Sequence, residues 1–205
     1  MLDMFHMKQI DIFLKASEKD IYIYIDTLKK WQKAVNLVSN ASLNDVWNRH
    51  IVDSAQLYPL IPSSAKTLID LGSGAGFPAL VLAILNKNNQ GPLTQIILIE
   101  SDTKKCLFLK EVARILKLPV QILNQRIESI QDISADVITS RGLADVDTLL
   151  KLSRPFTQKD TVCLFLKGQS VLKEIEENTV PCSIEKIKSI TNSDSFILKI
   201  TEVLK

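Results

Sequence analysis

The chain is expected to fold as an α/β protein: a doubly wound sheet, mostly parallel, finished by an antiparallel C-terminal hairpin and preceded by an N-terminal helical cap. Three observations carry that expectation. An apolar run, Thr67-Leu-Ile-Asp-Leu71, stops at Gly72, Gly74 and Gly76, and a second apolar run, Ala79 to Leu85, follows at once. Beyond residue 66 short apolar strands alternate with helical stretches, whereas residues 1–62 show no strand pattern. The last two strand-like stretches are joined only by Thr191-Asn-Ser-Asp194, too short for a parallel crossover.

The totals fit this class. A chain of 205 residues buries roughly 70% of its unfolded surface, so it needs no disulfide or metal staple. Apolar residues make up 46% and charged residues 23%, which excludes low-complexity and collagen-like chains. The longest unbroken apolar run, Ala79 to Leu85, is too short to span a bilayer, and the first residues lack a basic segment followed by an apolar one. No membrane span, no secretory signal and a cytoplasmic location are therefore expected. Cys106, Cys163 and Cys182 form no CxxC and have no His partner nearby in sequence, so reduced thiols and no metal site are expected. With a net charge of only +2, any nucleic-acid binding must come from a local basic face.

Taken in order, residues 1–17 read as a short amphipathic helix with Met7, Ile10, Phe13 and Leu14 on one stripe. A longer helix follows from Glu18, because Ile21, Tyr24, Ile25, Leu28, Trp31 and Val35 recur at three and four. Ser42 with Asp45 resembles a capping box that opens a third helix running through Val46, His50 and Leu57, until Pro59 and Pro62 end the helical region. A seam between a cap of residues 1–62 and a second unit of residues 66–205 is expected there. Strands are then expected at Gln95–Glu100, Val120–Leu123, Asp136–Thr139 and Thr161–Leu166, with helices at Asp102–Lys117, Val146–Leu152 and Ser170–Asn178. Five repeats of strand then helix imply right-handed crossovers. Ser183–Ile190 and Ser195–Thr201 form the closing hairpin.

In open α/β sheets ligands bind at the carboxyl ends of strands. The glycines at 72, 74 and 76 tolerate positive φ and let a ligand approach the backbone. Asp70 completes a D-x-G-x-G-x-G pattern, and Phe77 stands where the dinucleotide fingerprint would place its third glycine. Glu100 ends the next strand, where a carboxylate suits two ribose hydroxyls. Gln125-Arg-Ile-Glu128 could face an adenine ring. Arg141 ends the fourth strand and Lys167 the fifth, each followed by glycine, as cations for a carboxylate or a phosphate. His50 and Asp53, three apart, share one helical face. Lys110, Arg114 and Lys117 lie opposite the apolar stripe of their helix, as a solvated face or a strip for RNA phosphates.

The glycine motif looks like the first motif of class I S-adenosylmethionine-dependent methyltransferases, whose fold is Rossmann-like. Taken together, Asn36-Leu-Val-Ser39, Arg49-His-Ile-Val-Asp-Ser54, Asp70-Leu-Gly-Ser-Gly-Ala-Gly-Phe-Pro78, Ser140-Arg141 and Leu166-Lys-Gly-Gln169 resemble the RsmG (GidB) family, the bacterial 16S ribosomal RNA guanine-N7 methyltransferases. That resemblance implies S-adenosyl-L-methionine as cofactor and 16S ribosomal RNA or the small subunit as partner, with the enzyme a monomer. It places Gly72, Phe77, Ile127, Glu128 and Arg141 on cofactor-contacting positions and Glu100 on the ribose-binding acid. His50, Asp53 and Lys167 fall on motif positions of candidate catalytic residues. The chain departs from the family at Arg141-Gly-Leu-Ala144, where an aromatic residue is usual. Two other readings stand beside this one. A non-enzymatic ribosome-assembly module would leave the glycine loop empty, and a nucleotide-dependent oxidoreductase would need the glycine that Phe77 replaces.

Overall fold

The structure, a computed structural model, describes residues 4–203. Its centre is a seven-stranded sheet in the order β3-β2-β1-β4-β5-β7-β6. The strands are β1 (Thr67–Leu71), β2 (Gln95–Glu100), β3 (Val120–Asn124), β4 (Val137–Arg141), β5 (Val162–Lys167), β6 (Ser183–Lys188) and β7 (Phe196–Thr201). The first five run parallel, and β7 lies antiparallel to both β5 and β6. The hairpin is thus placed at the sheet edge as expected, with its second strand inside the sheet and its first outermost.

The central strands β1, β2, β4 and β5 are buried on both faces because both faces are covered. Leu68, Ile96, Leu98, Val137 and Leu164 point into one core with the N-terminal helix, while Ile69, Leu71, Ile97, Ile99, Ile138 and Phe165 point into the other. The alternation follows from the two-residue period of a strand. The covering helices include α4 (Ala79–Asn88) and α5 (Thr103–Leu116) on the first face, and α6 (Val146–Ser153) with α7 (Val171–Glu176) on the second. Cys106 and Cys163 are buried and Cys182 half-buried, all as free thiols; burial pushes the Cys163 thiol up to about 12.

Three local expectations are corrected. The two N-terminal helices are one, α1 (Met4–Gln32); residues 1–3 of the expected first helix lie outside the described residues. Nothing at Ser17-Glu-Lys19 breaks the helical hydrogen bonding, and Ser17 is itself buried, beside Asn89. Ile10, Leu14, Ile21, Tyr24 and Leu28 bury one continuous stripe against α4, α5 and the loops around them, each worth about 1.5 to 3 kcal/mol.

The expected third helix is broken into α2 (Asn40–Leu43), a π-helical turn over Trp47–Val52 and α3 (Asp53–Ala55). Ser39, not Ser42, caps α2, accepting the Ser42 N–H at 3.2 Å. Asp45 serves the next turn by accepting the backbone and side-chain N–H groups of Asn48. Finally, β3 and β4 are joined without an α-helix, through a single 3-10 turn at Ile127–Ser129. The residues there turn tightly along the carboxyl edge of the sheet, where Ile127 and Glu128 border a cavity.

Candidate active site

The loop after β1 leaves the sheet with Gly72 at φ +67°, Gly74 at +55° and Gly76 at +90°, values that disfavour any side chain. It is tied down from several sides. The N–H of Ser73 donates to the carbonyl of Ile99 at 3.0 Å, and the Gly76 N–H to the carbonyl of Ser73 at 2.7 Å. From α1, the Tyr24 hydroxyl donates to the carbonyl of Ala75 at 2.5 Å. The three glycines have different surroundings. A Cβ on Gly76 would meet Leu80 at 2.5 Å and Leu109 at 3.0 Å, and one on Gly72 would meet the side chain of Leu143 at 2.8 Å. A Cβ on Gly74 would meet only the Gly72 carbonyl, at 3.8 Å.

Beside this loop lies a cavity of about 350 Å³. Gly72, Gly74, Phe77, Glu100, Ile127, Glu128 and Arg141 all border it. The structure thus brings together seven of the nine residues expected to bind cofactor. The other two, Asp70 and Gly76, do not line it. Asp70 sits fully buried under the loop, where its Oδ1 accepts the Thr139 hydroxyl at 2.6 Å and its Oδ2 has no partner. Burial pushes its pKa up to about 6. Asp70 and Gly76 shape the loop from beneath and behind.

Glu100, mostly buried, accepts the Gly74 N–H at Oε2 and the Asp102 N–H at Oε1, both at 2.8 Å. A carboxylate offers about four lone-pair sites, so two remain for a ligand's hydroxyls. Arg141 extends its guanidinium over the ring of Phe77, with Cζ 4.9 Å from the centroid. Its Nη1 donates to the Arg49 carbonyl at 3.1 Å and lies 3.6 Å from Asp53 Oδ2. Burial raises the pKa of Asp53, and the nearby Arg141 offsets only part of that rise.

His50 stacks on Phe77, with centroids 4.6 Å apart and planes 16° apart. Both of its ring nitrogens are buried without a hydrogen-bond partner. Burial, then Arg141 and Arg49, push its pKa down to about 3, so it is neutral over the physiological range. The π-helical turn that carries it presses the ring against Phe77. His50 and Asp53 therefore converge with Arg141 around one phenyl ring, behind the cavity wall, and neither borders the cavity itself.

Lys167 does not project from the rim as expected. Its Nζ lies 2.5 Å from Glu174 Oε2 and donates to the Ala144 carbonyl at 2.7 Å, with only 9% of the side chain exposed. An acid one helical turn into α7 draws it inward. Lys110 and Arg114 are exposed on α5, and Lys117 is exposed just past its end in a left-handed turn at φ +51°, where the expected helix was to continue; Arg114 forms a two-pronged pair with Glu111 at 2.9 Å.

Sequence reasoning missed Leu37 and Val38, which bring the N-terminal layer to the cavity, and Lys105 and Leu143 on its border, while Arg126 borders it within the stretch expected to face a base. Asn36-Leu-Val-Ser39 carried the signal for the first two, as a motif without a position. Leu143 lies over Gly72, so an aliphatic side chain covers the loop at the site of the departure from the family pattern. Among the described residues no three of His, Cys, Asp or Glu come together as a metal site, and no helix is long and apolar enough to cross a membrane.

Comparison with known proteins bears on this geometry. Solved structures of similar fold include a SAM-dependent methyltransferase from Aquifex aeolicus, with TM-score 0.58 and 14% identity over 76% of this chain and 92% of that one. Another is the ribosomal protein L11 methylase from Lactobacillus delbrueckii, with TM-score 0.55 and 18% identity over 72% of this chain and 77% of that one. Nearer in sequence is ribosomal RNA small subunit methyltransferase G of Paramagnetospirillum magneticum, 42% identical over 88% of this chain and 86% of the relative. Its counterpart in Dinoroseobacter shibae is 40% identical over 91% and 96%. The profile of the GidB family, described as rRNA small subunit methyltransferase G, matches residues 17–196, and the chain belongs to that family.

Proposed function

We propose that the protein transfers a methyl group from S-adenosyl-L-methionine to N7 of a guanine in 16S ribosomal RNA. The observation that carries this reading is the cavity itself. It is walled by three glycines at positive φ, Gly72, Gly74 and Gly142, by the anchored carboxylate of Glu100 and by the half-buried guanidinium of Arg141.

The residues present fit the cofactor. Glu100 has acceptor sites left for ribose hydroxyls, Ile127 and Glu128 border the place for a base, and Arg141 offers donors to a carboxylate. When bound, S-adenosylmethionine supplies an electrophilic methyl group on a sulfonium. Guanine N7 already carries an in-plane lone pair, so no side chain has to take a proton from it. What remains for the chain is alignment, worth up to about 7 to 11 kcal/mol in favourable cases. The neutral His50 suits this, since a second cation near a base that becomes cationic would oppose the reaction. Lys110, Lys117 and the Glu111-paired Arg114 would contact phosphates of the RNA. The protein would act in the cytoplasm, as a monomer, on ribosomal RNA or the small subunit.

The test is mass spectrometry of 16S ribosomal RNA from a strain lacking the gene. One 7-methylguanosine should disappear and return on complementation with the wild-type chain. An unchanged set of methylated nucleosides would overturn the reading.

A further inference from the structure

Arg141 reaches the cavity from β4, yet the groups that hold it come from elsewhere in the chain. Its Nη1 meets the Arg49 carbonyl at 3.1 Å and Asp53 Oδ2 at 3.6 Å. Asp53 is itself held from the far side: its Oδ1 accepts the Thr191 hydroxyl at 2.9 Å and Gln56 Nε2 at 2.8 Å. Gln56 continues to Ser189 Oγ at 3.0 Å and accepts the Ile190 N–H at 3.2 Å. One oxygen of the Asp53 carboxylate thus faces the β6–β7 connection and the other faces Arg141. The pair is only 16% and 21% exposed, so it is screened far less than a surface pair.

A guanidinium has five N–H donors, and the contacts above leave most of Arg141's free for a ligand. Without Asp53, the long side chain would lose the charge that fixes its direction, and a ligand would have to order it on binding. We propose that Asp53 is a positioning residue: it holds the Arg141 guanidinium at the cavity wall to receive the carboxylate of the bound cofactor, and Thr191 holds Asp53. This rests on the cavity being the cofactor site. It also makes the hairpin connection, distant in sequence from every glycine of the loop, part of what sets cofactor affinity.

Calorimetry on the purified full chain tests it with two nucleosides, S-adenosylhomocysteine and 5′-methylthioadenosine, which lacks the carboxylate-bearing end. The wild type should bind the first more tightly. Asp53→Ala should weaken S-adenosylhomocysteine by roughly tenfold to a hundredfold, the range for one charged hydrogen bond, and leave methylthioadenosine unchanged. Thr191→Val, a milder change that keeps the pair itself, should shift the same ligand in the same direction by roughly threefold to tenfold. Equal weakening of both nucleosides would mean that the mutations merely loosen the fold, and would overturn the proposal. So would unchanged binding of both, or a loss confined to RNA affinity, which would put an RNA phosphate on Arg141. A wild type that binds neither nucleoside would overturn the cofactor reading of the cavity, and this proposal with it.

Discussion

The Glu100 carboxylate and the Gly74 N–H meet at 2.8 Å, so the end of β2 holds the glycine loop by its middle. The same carboxylate accepts the N–H of Asp102 at the start of α5. Glu100→Ala removes both bonds and the acceptors left for ribose. S-adenosylmethionine binding is expected to weaken by about 1.5 to 3 kcal/mol. Calorimetry checks this, and a change within error would confine Glu100 to holding the loop.

The loop's glycines should separate under the same substitution. In Gly74→Val the added Cβ comes no closer than 3.8 Å to atoms outside the neighbouring residues, but a β-branched residue is required at φ +55°. It should abolish cofactor binding while the protein still unfolds cooperatively. Gly76→Val drives a side chain into Leu80 and Leu109, and should cost about 1 to 3 kcal/mol of folding stability. Thermal unfolding of the two variants side by side distinguishes them; equal losses of stability would contradict the different surroundings described here.

On α5 and its C-cap, changing Lys110, Arg114 and Lys117 together to Gln should weaken RNA binding and leave S-adenosylmethionine affinity as it is. Because Arg114 is already paired with Glu111, the plot of log affinity against log salt should lose about two units of slope rather than three. Lines of equal slope and height would make this helix face ordinary surface.

His50 predicts an acid sensitivity. Its pKa is about 3 in the folded protein and 6.5 ordinarily, so between those values the unfolded chain binds the extra proton. Its contribution to stability is therefore full above pH 6.5 and is lost as pH falls toward 3. Replacing it by Leu should flatten the decline by at most about 1.4 kcal/mol per pH unit. Asp70, with its pKa raised to about 6, acts with the opposite sign, but it is present in both proteins and drops out of the difference. Urea unfolding of wild type and variant at pH 7 and pH 5 is the measurement; curves that stay parallel would mean that the buried imidazole takes up its proton without opening the fold.

Features written into short stretches of sequence were legible. The β1 strand, its three glycines and α4 are one continuous run, and Glu100 and Arg141 announce themselves as charges at the ends of apolar strands. What escaped depended on partners distant in the chain. Lys167 reads as a rim cation until Glu174 folds over it, and Asp70 reads as a ligand until the cavity proves to lie on the other side of the loop. The π-helical turn at Trp47–Val52 cannot be told from an ordinary helix by apolar spacing, since six residues are too few to define a period. Leu37 and Val38 read as part of the connection after a helix, and only the packing of α1 on α4 and α5 carries them to the cavity.

The order β5-β7-β6 has a consequence for how the molecule is made. During synthesis the five parallel strands emerge first, and β5 then presents an open edge. Pairing waits for residues 196–201, because the intervening strand belongs outside the one that follows it. The connection bearing Thr191, which braces Asp53 and through it Arg141, is fixed in place only when that strand pairs. A nascent chain stalled before it would have its glycine loop but not the brace on Arg141, so competence to grip the cofactor would come only once β7 has emerged, together with the closing of the sheet.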